Sequence, residues 1–249
     1  MFKAATETYN VKKNRYGNVL PIDDTRVLLS HTGQLGSDYI NANYIPSWTR
    51  DNAFIASQGP IASTVGDFWR MIWETNSSSI IMMTREVEEG RLKCYKYWPE
   101  PEVPMRVGGY SIVALDYTNL SPEYGVRTLR LIDLETNEAR IIKQFDYFSW
   151  PDGGAPPTAV GFIRFVLDVK QHIEAARSGN EVGPPVVHCS AGIGRTGTFL
   201  AMYALMQRLE SLGNVDVAAT VAYLRMYRAG LVQTVVQYRF LYEAIVTYY

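Results

Sequence analysis

Reactive side chains are what this chain has least of: among 249 residues, two are cysteine and three are histidine. Two cysteines cannot build a disulfide framework, and they fit a reducing compartment. The histidines His31, His172 and His188 are scattered without metal-ligand spacing, so no metal and no other cofactor is expected. A dominant charge is missing as well. Twenty-four Lys and Arg stand against 25 Asp and Glu, a formal net charge of −1. The longest basic stretch is Lys12-Lys13 with Arg15, which excludes the electrostatic footprint of a nucleic-acid protein. No apolar run reaches membrane-spanning length without a charge, and the N-terminus carries no signal-peptide core. Linkers, repeats and composition breaks are also lacking. Residues 1–249 are therefore expected to form one domain, with 47% hydrophobic residues to fill its core.

Against this background one of the two cysteines stands in an unusual place. Val186-Val187-His188-Cys189-Ser190-Ala191-Gly192-Ile193-Gly194-Arg195-Thr196-Gly197 runs from β-branched residues, through small ones, into the apolar stretch 198–206. That order predicts a buried strand, a tight loop and a buried helix. Gly192, Gly194 and Gly197 are expected to give the loop its backbone freedom. Such a loop turns successive N–H groups inward at the positive end of a helix, a nest that suits a tetrahedral anion. Arg195 adds a planar fork for two oxygens of a phosphate. The same field lowers the pKa of Cys189 toward the thiolate, and Thr196 can donate its hydroxyl when the sulfur must leave. His188 is expected to order the loop through hydrogen bonds.

A thiolate attacking phosphorus expels an alkoxide or phenoxide that needs a proton. The candidate donor is Asp152 in Trp150-Pro151-Asp152-Gly153-Gly154-Ala155-Pro156-Pro157, a stretch built as a flap between fixed ends, with Trp150 as its apolar anchor. The coarse layout is mixed. Strands are expected over 39–45, 54–57, 80–84, 110–119, 127–133, 139–145 and 186–188, and helices over 64–74, 159–176, 197–209, 217–228 and 235–248. Strands come early and helices late, which predicts an α/β (α+β) fold: a twisted mixed β-sheet flanked by helices, with the Cys189 loop at its C-terminal edge.

Several separated segments carry a family resemblance. They are Lys13-Asn14-Arg15-Tyr16, Asp38-Tyr39-Ile40-Asn41-Ala42, Gln58-Gly59-Pro60, Asp67-Phe68-Trp69, Lys93-Cys94-Tyr95-Lys96-Tyr97-Trp98-Pro99, Trp150-Pro151-Asp152, the Cys189 loop and Gln233-Thr234-Val235-Val236-Gln237. In this order they resemble the catalytic domain of a phosphotyrosine-specific, cysteine-based protein tyrosine phosphatase, from about Asn14 to the C-terminus. The resemblance implies that fold, with Cys189 as nucleophile and Ser190, Ala191, Gly192, Ile193, Gly194 and Arg195 as the phosphate cradle. It implies that Asp152 is general acid and then general base, that Gln233 and Gln237 position the hydrolytic water, and that Tyr16 stacks on the substrate ring. Phosphotyrosine proteins are then the partners, and the cytoplasm, including the intracellular part of a receptor, the location. Glu88 matches the acidic partner of the cradle arginine, although a solvated acidic turn reads equally well there. Lys93 matches the residue that meets the closed flap.

Two positions depart from the family pattern. Asn18 stands where many members carry an aspartate that holds the substrate backbone, which removes the charge-assisted part of that contact. Gly153 follows the acid where a larger side chain is usual, so flap closure is expected to be less favourable. A catalytically weak phosphotyrosine-binding module is the alternative function, although Asp152, Tyr16, Cys189, Arg195 and Gln233 are all in place.

Overall fold

Three short segments, Phe54–Ser57, Ser79–Met82 and Val186–His188, are buried at every position. That is the pattern of strands covered on both faces. In the computed structural model, which describes residues 1–179 and 181–249, they lie side by side toward the middle of a sheet. The chain begins with a short helix α1 (Lys3–Thr6), followed by strands β1 (Arg26–Leu28), β2 (Tyr39–Ile45) and β3 (Phe54–Ser57). Helix α2 (Val65–Glu74), strand β4 (Ser79–Met82) and a small hairpin, β5 (Val87–Glu88) with β6 (Arg91–Leu92), come next. Strands β7 (Met105–Val107), β8 (Tyr110–Asn119), β9 (Tyr124–Asp133) and β10 (Ala139–Tyr147) form a meander. Helix α3 (Ala159–Arg177), strand β11 (Val186–His188) and helices α4 (Gly194–Leu212), α5 (Val217–Arg225) and α6 (Val235–Tyr248) complete the chain.

The nine-stranded sheet has the order β1-β2-β3-β11-β4-β10-β9-β8-β7. Strand β11 runs parallel to both β3 and β4, and β4 parallel to β10, while the outer pairs are antiparallel. This is the expected mixed sheet with flanking helices. Period-2 alternation splits the core: Ile81 and Val187 face the layer of α3, α4 and α6, whereas Ile80, Met82 and Val186 face α2. On α3 the helical spacing of Phe162, Phe165, Val166, Val169 and Ile173 places all five in the core. Each contributes roughly 1.5–3 kcal/mol by burial, which fixes the platform under the flap.

Some boundaries differ from expectation, and three matter for the site. Helix α4 starts at Gly194 rather than residue 197, so Arg195 and Thr196 belong to its first turn. Helix α5 ends at Arg225, which frees Arg228 to turn inward. The strand expected over 80–84 stops at Met82, and Thr84 instead hydrogen-bonds the Glu88 carboxylate. The strands β1, β7 and the β5–β6 hairpin are too short, or too polar, to show a period. Among the described residues no helix is long and apolar enough to cross a membrane.

Candidate active site

Strand β11 delivers Cys189 to the point where the chain leaves the sheet, and the loop 189–193 returns into α4. The turn demands one particular glycine. Gly192 has φ +72°, and a Cβ there would stand 2.2 Å from the Ser57 carbonyl oxygen. Gly194 and Gly197 are helical, so the expected freedom of three glycines reduces to one. Gly197 is small for a different reason: the backbone of Leu231–Val232 packs where its Cβ would be.

The loop carbonyls are tied outward, which leaves the N–H groups free to face inward. Gly59 N donates to Ser190 O at 2.9 Å. Arg228, fully buried, donates Nε to Gly192 O at 2.8 Å and Nη2 to Ala191 O at 3.0 Å, with Asn43 and Asn41 holding the rest of its fork. The sequence reading missed Arg228 altogether. It stands only as the last residue of the helix expected over 217–228, and nothing local marks it as buried. His188 is also buried, its Nε2 bonded to Tyr97 Oη at 2.8 Å and its Nδ1 to Cys189 O at 3.1 Å. Burial depresses its pKa to about 4, so at neutral pH the ring is uncharged and orders the loop without adding charge.

Burial pushes the Cys189 thiol up, but opposing effects outweigh it and the net shift is downward. They are the Arg195 guanidinium, the hydroxyl and N–H of Thr196, and the Gly192 N–H, which lies 3.3 Å from the sulfur. Among the described residues the buried Thr196 hydroxyl has no partner other than this sulfur, and it is spare for a sulfur that gains charge. Arg195, only 2% exposed, is aimed by Glu88: Nη1 donates to Oε1 at 2.6 Å and Nη2 to Oε2 at 2.7 Å. Of the two readings open for Glu88, the geometry is that of the bidentate partner. The carboxylate also accepts from Thr84 and from Arg85 N. Although burial opposes it, this pairing pulls the Glu88 pKa below its ordinary value.

The flap, residues 150–157, lies over the cleft. Trp150 packs edge-on against Phe162 at 5.2 Å and donates Nε1 to Gly154 O at 2.8 Å. Its carbonyl accepts from Arg195 Nη1 at 3.1 Å. Asp152 Oδ1 accepts from Arg195 Nη2 at 3.0 Å, and Oδ2 pairs with Lys93 Nζ. Desolvation raises the Asp152 pKa, yet Lys93 and Arg195 together bring it below the usual carboxylate value.

Tyr16 forms one wall. Asn14 accepts from Tyr39 Oη and Asn41 Nδ2, and Arg15 donates to the carbonyls of Gly59, Pro60 and Leu92. Those bonds lock the segment, and Tyr16 Oη meets Ser190 Oγ at 2.9 Å, which in turn donates to Lys93 O. The cleft holds about 380 Å³. Of the expected site residues, Tyr16, Asn18, Lys93, Asp152, Cys189, Ser190, Ala191, Gly194, Arg195, Gln233 and Gln237 line it. Gly192, Ile193 and Thr196 are not among its lining residues, nor are the supporting His188, Glu88 and Trp150. Val19, Gly153 and Thr234 line it without having been expected. Gln233 and Gln237 are not equivalent. Gln237 is buried and its Oε1 accepts from the N–H groups of Gln233 and Thr234, closing the capping box of α6. Gln233 is exposed to the cleft. Among the described residues no group of three or more His, Cys, Asp and Glu could hold a metal ion.

Residues 10–247 match the family model described as Protein-tyrosine phosphatase. The chain is 44% identical over 243 residues to the receptor-type tyrosine-protein phosphatase eta of Gallus gallus, a match covering 97% of this chain and 17% of that protein. It is 43% identical over 237 residues to the receptor-type tyrosine-protein phosphatase F of Bos taurus, covering 95% of this chain and 12% of that protein. The human eta protein is 43% identical over 242 residues, with 97% and 18% covered. The chain thus spans 12–18% of the length of these relatives.

Proposed function

The chain belongs to the protein-tyrosine phosphatase family, and on that premise we propose that it hydrolyses phosphotyrosine in proteins through a phosphocysteine intermediate. The observation that carries the reading is the placement of Asp152 against Arg195 above a sulfur whose pKa is lowered. Acid, anion fork and nucleophile share one cleft.

In the first step the phosphate dianion takes the inward N–H groups and the Arg195 fork, which releases Asp152 from Arg195. The Cys189 thiolate forms the S–P bond, the bond from phosphorus to the tyrosine oxygen breaks, and Asp152 gives its proton to that oxygen. In the second step Gln233 orients a water molecule and Asp152 takes its proton. The water oxygen bonds to phosphorus, the S–P bond breaks, and Thr196 donates a hydrogen bond to the returning thiolate. Inorganic phosphate leaves. Gln237 acts through the cap that fixes Gln233. Tyr16 and Val19 wall the cleft and hold the phenyl ring, so a phosphoserine is too short to reach the sulfur. Asn18 binds the substrate backbone through its amide. Residues 1–249 act as one catalytic domain, placed in the cytoplasm or as the intracellular part of a receptor, where its two free thiols are kept reduced.

The test is turnover of matched phosphotyrosine and phosphothreonine peptides by the wild type and by Cys189→Ser. The proposal expects the wild type to release phosphate from phosphotyrosine far faster than from phosphothreonine, and Cys189→Ser to release none. Binding of the phosphotyrosine peptide with no release by the wild type would make the chain a binding module instead. Equal rates on both peptides would refute the depth argument for Tyr16.

A further inference from the structure

The tip of the flap has little to hold it. Gly153 has φ +68°, and among the described residues nothing beyond its two chain neighbours lies within 4 Å of the place where a Cβ would stand. No side chain packs over the cleft from that position. The Asp152 carboxylate is tied through Oδ1 to Arg195 and through Oδ2 to Lys93, but these contacts use the group that must do the chemistry. A bound phosphate dianion takes Arg195, and a protonated Asp152 turned on the leaving oxygen no longer attracts Lys93 as an ion. Thr234 remains. Its hydroxyl lies 3.1 Å from the Gly153 carbonyl oxygen and leaves the carboxylate free.

We propose that Thr234 is the positioning residue that latches the closed flap, its hydroxyl held on the Gly153 carbonyl while Asp152 transfers its proton. The inference rests on the phosphatase reading above. The direction of the bond follows from hydrogen-bond inventory. Thr234 is the N-cap of α6, and its Oγ1 accepts from Gln237 N at 3.1 Å. The hydroxyl proton is then free for the one acceptor it faces, Gly153 O. Gln237 Oε1 accepts in return from Thr234 N and Gln233 N. The flap, the α6 cap and the residue assigned to the water are therefore one network. Closing the flap and fixing Gln233 become the same event, which both steps need.

The test compares kcat/KM on p-nitrophenyl phosphate, whose phenol leaves easily, with phenyl phosphate, whose phenol needs the acid. Thr234→Val keeps the shape and loses the hydroxyl. It is expected to lose roughly five- to tenfold on phenyl phosphate, the rate equivalent of one neutral hydrogen bond, and at most about twofold on p-nitrophenyl phosphate. Thr234→Ser keeps the hydroxyl and should match the wild type on both. Thr234→Asp caps a helix as well as threonine but has no proton to donate. It should hold its unfolding temperature and still show the selective loss, because any repulsion of phosphate by its charge cancels in the ratio of the two substrates. An unchanged ratio in Thr234→Val and Thr234→Asp, or equal losses on both substrates, would overturn the latch and leave Thr234 a helix cap. A wild type that turned over neither substrate would overturn the phosphatase reading and the latch with it.

Discussion

The phosphate loop and the flap face each other across one cleft and are built in opposite ways. Cys189, Ser190 and Arg195 are 4%, 6% and 2% exposed, and the loop carbonyls are pinned from behind by Gly59, Arg228 and His188. The Asp152 side chain is 44% exposed, and its loop tip is tied by side-chain hydrogen bonds and ion pairs. Preorganised N–H groups bind a charge without reorganising, which favours a rigid cradle. A proton must be delivered to a leaving group that enters and departs, which favours a movable arm. On the proposed reading, the anion site is set at folding, whereas the acid is set at each turnover.

Breaking the rigid side should cost the most. Arg228→Ala removes four hydrogen bonds from a fully buried fork and strands the acceptors of Ala191, Gly192, Asn41 and Asn43. Urea unfolding should show a loss of about 3–5 kcal/mol, with activity falling further than stability alone explains. A variant within about 1 kcal/mol of wild type would mean that the loop holds its own shape. Next comes the acid. Asp152→Ala should lower kcat by about 10²–10⁴ while inorganic phosphate binds more tightly, because Asp152 occupies Arg195 in the free protein. Weaker phosphate binding in that variant would contradict the competition.

Lys93→Met separates position from charge. Lys93 is one of the two cations that depress the Asp152 pKa. Removing it raises that pKa, so the acid stays protonated to higher pH and the basic limb of kcat/KM moves upward, as the maximum rate falls. A basic limb that stayed in place or moved down would exclude the pairing. Gly153→Ala should have the smallest effect. An alanine at φ +68° costs about 1–2 kcal/mol, so a closed flap becomes several-fold rarer and kcat should fall by a similar factor. An unchanged kcat would show that the tip adopts another backbone conformation in turnover.

The same contrast explains what was legible in the sequence. Cys189, Arg195 and Asp152, which the fold brings into one cleft, could be singled out as candidates because their signals are local, in a short motif and a turn. The long elements showed their periods, as on α3 from Phe162 to Ile173. What escaped is held by long-range contacts. Arg228 reaches Asn41 and Asn43 across more than 180 positions of chain. The hairpin that aims Glu88 is four residues of strand with no period to read. Gln237 was readable in part, since Thr234-Val235-Val236-Gln237 has the capping-box spacing. That spacing separates its role from that of Gln233. The absence of a side chain at Gly153 drew attention to the flap, but its positive φ and its partner Thr234 needed coordinates.

The central claim is that the sulfur of the rigid loop carries the phosphate between two steps run by the movable acid. It is tested most directly by rapid acid quenching of Gln233→Ala during turnover of a phosphotyrosine peptide, followed by mass analysis of the peptide containing Cys189. Slowed water attack should let a phosphate adduct accumulate on Cys189, absent from Cys189→Ser. Tyrosine peptide formed at the full rate with no adduct on Cys189 would contradict the account.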